Sequence, residues 1–580
     1  MEIKTTWDLS SLKENFKQAK EENIKFIQKW QKRTDFLEQP IILKEALDEY
    51  ELLERNFGPG GDAFFLLSLR TVLDQNNPII KAKYNKLHQE IIKLVNDLEF
   101  FTLKLSKIPE KTQTQFLNDP NLKEYKHFLE RLFVNAKYLL SEPEEKILNL
   151  KSKVAHENWV EMLENILSKE ERDGKNFAEI LDLLSNSKKA IRDNAAKDFN
   201  SILETHLDEA EHEINAILEN NRIDMNLRGF KSPEEPRHVA DDIDPSVIET
   251  LIKTVEESFI ISRRFYELKA KLLNQEKLSY HERNVPYGNL DKTISFEEAV
   301  RIVKKSLLNL DPQFSNLFEK YLSNGQIDAF PKKHKDPGGA CISNLQRQPI
   351  FIYLNFLGKI RDITTIAHEM GHAIHFELAK THQNALNDGA SLAIAEVAST
   401  FMEDFVLQEI SQQIDEETLL SLQMERLNDQ VSSIQRQIAC YKFELDLHRE
   451  HAKKGYLPAK FIGELFQENM KAYMGDFVEQ SKGSENWWVY WSHIRNFFYV
   501  YSYASGLLIS KSLQSEVNKN PKFIEKFKTL LSLGASVSPA DAFKKVGIDI
   551  EDKNFWAKGI KEQEKLLDDT WTLAKKLGKI

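Results

Sequence analysis

At 580 residues the chain is long enough for three or four domains of ordinary size, or for one large helical enzyme. Its 21 glycines and 17 prolines are about half the share of an average soluble chain, which disfavours turn-rich all-β folds, collagen-like repeats and long flexible linkers. A net charge of -11 argues against nucleic acid or an anionic membrane as the main partner, and nowhere do roughly 18 apolar residues run on without a break, as a membrane span needs.

The opening residues, MEIKTTWDLSSLKENFK, carry no apolar export segment. Two cysteines, Cys341 and Cys440, are too few to staple a chain of this size, so a reducing cytoplasm is expected and neither cysteine needs a partner. From Leu9 to about Asn200 charged amphipathic segments follow one another. Ser141-Glu142-Pro143-Glu144 combines a serine cap, an early proline and a glutamate three residues on, the pattern of a helix start. Glu144 to Leu167 and Lys188 to Asn220 repeat apolar residues every three or four positions, which predicts helices with one buried face. Charge runs such as Asp208 to Glu213 read as solvated helix faces.

Turn signals gather at Arg228 to Pro233 and at Lys332 to Gly339. The second of these leads into Pro349-Ile350-Phe351-Ile352-Tyr353-Leu354-Asn355-Phe356, whose aromatic and β-branched residues predict a strand. Such a strand could receive an extended peptide along its edge, or be purely structural. A small sheet beside many helices is therefore expected.

A helix is predicted to start near Asp362, as its cap, and to run through Ile363-Thr364-Thr365-Ile366-Ala367-His368-Glu369-Met370-Gly371-His372, an H-E-x-x-H pattern. At about 100° per residue His368 and His372 lie about 40° apart and one turn apart, so both imidazoles can converge on one tetrahedral zinc. Glu369 lies about 100° round from His368, beside the metal, where a carboxylate suits a general base acting on water. Ile363, Ile366, Met370 and Ile374 fall on the opposite arc and are expected in the core. A catalytic zinc needs a third protein ligand. The extended histidine motif that supplies it in some zinc peptidases is absent, because His375 and Leu378 stand where it needs glycine and histidine. Glu396, among the small and apolar residues of the segment Gly389 to Thr400, is the expected third ligand, since a lone glutamate on an apolar face needs a partner such as zinc. Glu403, two turns further, would either orient a ligand histidine or face solvent. His375, a turn beyond the histidine pair, is read as a packing or supporting residue.

The runs His368-Glu369-Met370-Gly371-His372-Ala373-Ile374-His375 and Ala395-Glu396-Val397-Ala398-Ser399-Thr400 resemble the oligoendopeptidase F branch of the thimet-oligopeptidase-like (M3) zinc metallopeptidases. Weaker similarity extends to Trp7 to Leu12, Leu139 to Glu145 and Arg228-Gly229-Phe230. The resemblance implies a mainly α, two-lobed, gluzincin-type body with a small β-sheet beside the zinc helix and a deep substrate channel. In the expected division, residues 1–195 form an N-terminal helical domain and residues 196–580 the catalytic domain. One zinc per chain and endopeptidase action on oligopeptides follow from the same resemblance. Gly338-Gly339-Ala340-Cys341 departs from the family's order in lacking an aromatic residue before the cysteine.

Nine of the seventeen residues from Trp487 to Tyr503 are aromatic. Most read as core, but His493 and the tyrosines at alternate positions offer donors for the oxyanion formed at a peptide carbonyl. The block His493 to Gly506 resembles the family's C-terminal segment, in which a histidine and tyrosines face the zinc. On that resemblance His493, Tyr501 and Tyr503 are the expected oxyanion donors, with Tyr499 the alternative to Tyr501. The function expected is zinc-dependent hydrolysis of internal bonds in short unstructured oligopeptides. A zinc carboxypeptidase and a non-catalytic, zinc-stabilised helical binding protein are the alternatives, and the oligomeric state is left open.

Overall fold

The computed structural model describes residues 3–288, 290, 293–389 and 392–580. Long amphipathic helices account for most of it, with only short strands among the described residues, as the shortage of glycine and proline implies. The helix start at Ser141 forms as expected: the Ser141 amide and hydroxyl both donate to Glu144, at 2.9 and 2.6 Å. The helix Glu142–Ser152 then passes through a wider π-type turn, Lys153–Glu157, before Asn158–Ser168. The second amphipathic stretch is likewise two helices, Lys189–Thr205 and Leu207–Arg228, broken at His206. Neither break carries a glycine or proline, so periodicity alone runs through both. No helix among the described residues is long and apolar enough to cross a membrane.

Two compact units emerge, each built from three separated stretches of chain. The first comprises Met1–Lys137, Asp291–Gln413 and Glu516–Asp549. Its N-terminal core is aromatic, with Trp30, Phe36, Phe101 and Phe116 fully buried. It also holds a three-stranded sheet in which Phe351–Tyr353 is central, parallel to Ile327–Asp328 and antiparallel to Ala340–Ile342. The expected strand over 349–356 is thus shorter as a ladder, although the Leu354 and Phe356 amides still bond the Asp328 and Ala329 carbonyls, each at 2.9 Å. The Trp7 indole donates to the Ile352 carbonyl at 2.7 Å, tying the N-terminal segment to the sheet.

Between the first strand and the edge strand the chain loops round the buried ammonium of Lys335, which donates to Asp328 Oδ1 at 2.7 Å and to the Phe330 carbonyl at 2.8 Å. The loop delivers Gly338–Cys341 to the helix Ile360–His382. That helix begins two residues before Asp362. The Asp362 carboxylate caps it from the third position, accepting from the Leu357 and Lys359 amides at 2.7 and 2.9 Å. Ile363, Ile366, Met370 and Ile374 are buried, at most 1% exposed, as their arc predicts.

The second unit comprises Tyr138–Leu290, Ile414–Ser515 and Ile550–Ile580. The helices Phe259–Leu272, Gln435–Lys454 and Ala459–Met474 pack together in it. Buried Arg495 forms a two-pronged ion pair with buried Glu213, both contacts at 2.9 Å. Its remaining donors reach the Trp488, Val489 and Trp491 carbonyls. A buried pair satisfied in this way fixes the aromatic turn in one arrangement.

Candidate metal centre

His368 and His372 stand on one face of the Ile360–His382 helix with their Nε2 atoms 3.2 Å apart. Glu396 Oε2 lies 3.5 Å from the first and 3.6 Å from the second. On a tetrahedron with bonds of about 2.0–2.1 Å, ligand atoms are about 3.3–3.4 Å apart. The three donors therefore have the spacing of one face of a tetrahedral metal site, and the expected ligands His368, His372 and Glu396 are brought together. The Glu396 side chain keeps 44% of its surface exposed, so the cluster is open to solvent.

Two small residues make this convergence possible. A β-carbon on Gly371 would lie 2.5 Å from Ser399 Cα and 2.6 Å from the Ala398 carbonyl oxygen. Glycine therefore lets the start of the helix Val397–Ser411 press directly on the histidine helix. The Ser399 hydroxyl, buried at that crossing, donates to Glu396 Oε2 at 2.9 Å and aims the carboxylate. Glu396 itself is the residue before the first turn of this second helix, with its side chain free of any capping bond. Of the segment that leads to it, Ala390 and Ser391 lie outside the described residues.

Glu403, two turns along, hydrogen-bonds His368 Nδ1. With the Nδ1 proton assigned to that carboxylate, the Nε2 lone pair is left for a metal. Burial works against charging His368, but Glu403 outweighs it and pushes the imidazole up to about 9. Burial, and then the neighbouring His368 charge, hold His372 down to about 4. Glu369 is buried, 6% exposed, and burial pushes its carboxyl up to about 7, against the pull of His368 and of the Cys341 amide that it accepts. Three carboxylates thus surround two imidazoles, a donor set suited to a cation. His375 is 2% exposed and stacks on Phe376, with ring centroids 6.2 Å apart, and is not among the convergent donors. If the cluster holds a metal ion, replacing Glu403 with alanine should lower its affinity roughly 10–100-fold by freeing the ring of His368. Competition with a chromogenic chelator measures it, and unchanged affinity would remove Glu403 from the site.

One other group of metal-type side chains occurs among the described residues: Asp193, His281 and Glu282. There Arg192 and Lys189 already pair with Glu282, at 2.6 and 3.2 Å, and Lys189 also reaches Asp193 at 3.0 Å. The local charge is met by side chains, and the group is an ion-pair network.

In the second unit, His493, Tyr499 and Tyr503 form a ring triangle with centroids 5.6, 5.8 and 5.9 Å apart. The Tyr499 hydroxyl bonds His493 Nδ1. Burial, then Arg436, hold His493 below its ordinary value. Tyr503 is 38% exposed. Tyr501 does not join them. It is fully buried and its hydroxyl donates to Asp241 at 2.6 Å, so that hydroxyl is committed to the core, and the tyrosine beside His493 is Tyr499, the expected alternative.

A family model described as Peptidase family M3 matches residues 182–562, and one described as Oligopeptidase F matches residues 104–169. An oligoendopeptidase F homolog of Borreliella burgdorferi is 26% identical over 94% of this chain and 94% of its own. Oligopeptidase PepF of Bacillus subtilis is 24% identical over 82% of this chain and 72% of its own. The crystal structure of oligoendopeptidase-F from Enterococcus faecium superposes with a TM-score of 0.70 at 18% identity, covering 97% of this chain and 98% of that one, so the fold is shared. The histidine pair, Glu396 and the aromatic turn all fall within the larger matched segment, and the chain belongs to peptidase family M3.

Proposed function

We propose that this protein is a zinc-dependent endopeptidase that hydrolyses internal bonds of short, unstructured oligopeptides. The observation that carries the reading is the triangle of His368, His372 and Glu396 donor atoms, with edges of 3.2–3.6 Å, and buried Glu369 beside it. These three residues would hold one zinc. When bound there, zinc supplies Lewis acidity to the scissile carbonyl and the attacking water.

Glu369 takes the proton from the attacking water and returns it to the leaving amine nitrogen. Its burial places its carboxyl near neutrality, so it can both accept and release a proton at working pH. The Cys341 amide, delivered by the edge strand, fixes the carboxylate. For His493, Tyr503 and Tyr499 the proposed role is donation to the oxyanion. It is supported by the family resemblance and by their assembly into one polar ring cluster. Tyr503→Phe should then lower kcat roughly 100-fold, the loss of one such donor, with zinc content unchanged; wild-type turnover would remove Tyr503 from the mechanism.

The names of the relatives, oligoendopeptidase and oligopeptidase, support oligopeptides as the substrate class. Two free cysteines support a reducing cytoplasm as its place of action. The two family models meet between residues 169 and 182, short of the division expected at residue 195, which falls inside the helix Lys189–Thr205. An internally quenched peptide blocked at both ends tests the endopeptidase reading. Cleavage at an interior bond, mapped by mass spectrometry, is expected. An intact blocked peptide, with residues released from the C-terminus of an unblocked one, would overturn it in favour of a carboxypeptidase.

A further inference from the structure

The turn that carries His493 and Tyr499 is folded against its own backbone preference. Phe497 and Phe498 are consecutive non-glycine residues with φ of 38° and 59°, the left-handed region that L-residues avoid because the β-carbon crowds the carbonyl. Such a pair persists only where its surroundings over-determine it. The surroundings here are one face of the helix Gln435–Lys454. The Phe498 ring is fully buried, with its centroid 4.8 Å from His448 and 5.5 Å from Tyr441. The Phe498 amide donates to Glu444 Oε2.

Glu444 is fully buried, and among the described residues no cation forms an ion pair with it and none donates to its second oxygen, Oε1. A buried carboxyl with one oxygen unbonded costs stability, which directs attention to what its one bond does. We propose that Glu444 is a positioning residue for the peptidase reaction. Its carboxyl latches the Phe498 amide, holds the left-handed pair, and so sets where His493, Tyr499 and, at the start of the next helix, Tyr503 present their donors. This rests on the oxyanion role proposed above for those three residues. Burial pushes Glu444 up to about 8, and glutamine keeps its shape and a carbonyl acceptor.

The test uses the full-length, zinc-loaded protein. Glu444→Met fills the space without an acceptor, and Glu444→Gln keeps a carbonyl facing the amide. Hydrogen exchange of the Phe498 amide should quicken roughly tenfold in E444M, the loss of one buried hydrogen bond. Turnover should fall with it, kcat dropping about tenfold while KM and zinc content stay as they were, and E444Q should restore most of both. E444A makes the same comparison if E444M does not fold. Unchanged exchange at Phe498 would overturn the latch. Faster exchange with wild-type kcat, in a protein whose turnover still suffers from Y503F, would overturn the positioning role. Wild-type kcat in both E444M and Y503F would overturn the oxyanion reading, and the positioning role with it.

Discussion

Glu369→Gln is expected to lower kcat by roughly 10³-fold, the scale of losing a general base, while zinc still binds at one per chain. Glutamine has the same shape and its carbonyl can still accept the Cys341 amide, so the ligand atoms of His368, His372 and Glu396 have no reason to move. What is lost is the proton carrier. Single-turnover hydrolysis of a quenched peptide, with metal analysis on the same sample, separates the two effects. Turnover within about tenfold of wild type would take the proton transfer away from Glu369. Loss of zinc together with activity would mean that its carboxylate belongs to the ligand set.

The second large effect is expected at a residue that touches neither metal nor substrate. Helix propensity favours Gly371→Ala by about 1 kcal/mol. The structure predicts the opposite sign. The new β-carbon would stand 2.5 Å from the Ser399 backbone, so the two helices must part, and overpacking of this kind costs roughly 1–3 kcal/mol. Glu396 and Ser399 move away together, opening the triangle beyond what zinc can bridge. Zinc affinity should therefore fall roughly 100-fold or more, at least as far as losing a supporting partner such as Glu403, with a lower Tm in the metal-free protein. A G371A protein that is more stable and binds zinc normally would show that the crossing is looser than the close contact implies.

Much of the centre was legible in the sequence because helix geometry is local. The four-residue spacing of His368 and His372, the offset of Glu369 and the apolar arc of Ile363, Ile366, Met370 and Ile374 all follow from one period. Glu396 was legible by its chemistry, as a charge among small apolar residues. Gly371 and Ser399 were not, since nothing local tells a glycine at a helix crossing from any other. The tyrosines show the same limit. Tyr499, Tyr501 and Tyr503 alternate evenly in the sequence, but the helix begins only at Tyr501, so equal spacing does not mean equal facing. The left-handed turn before it is made by two phenylalanines, without the glycine that usually signals such backbone. Its latch, Glu444, comes from a helix more than fifty positions earlier.

Zinc content and turnover, followed on one sample through chelation and reloading, test the zinc-peptidase reading most directly. One zinc per chain, turnover that disappears with the metal, and its return in proportion to the zinc restored are the expected results. Full turnover in protein freed of metal would contradict it.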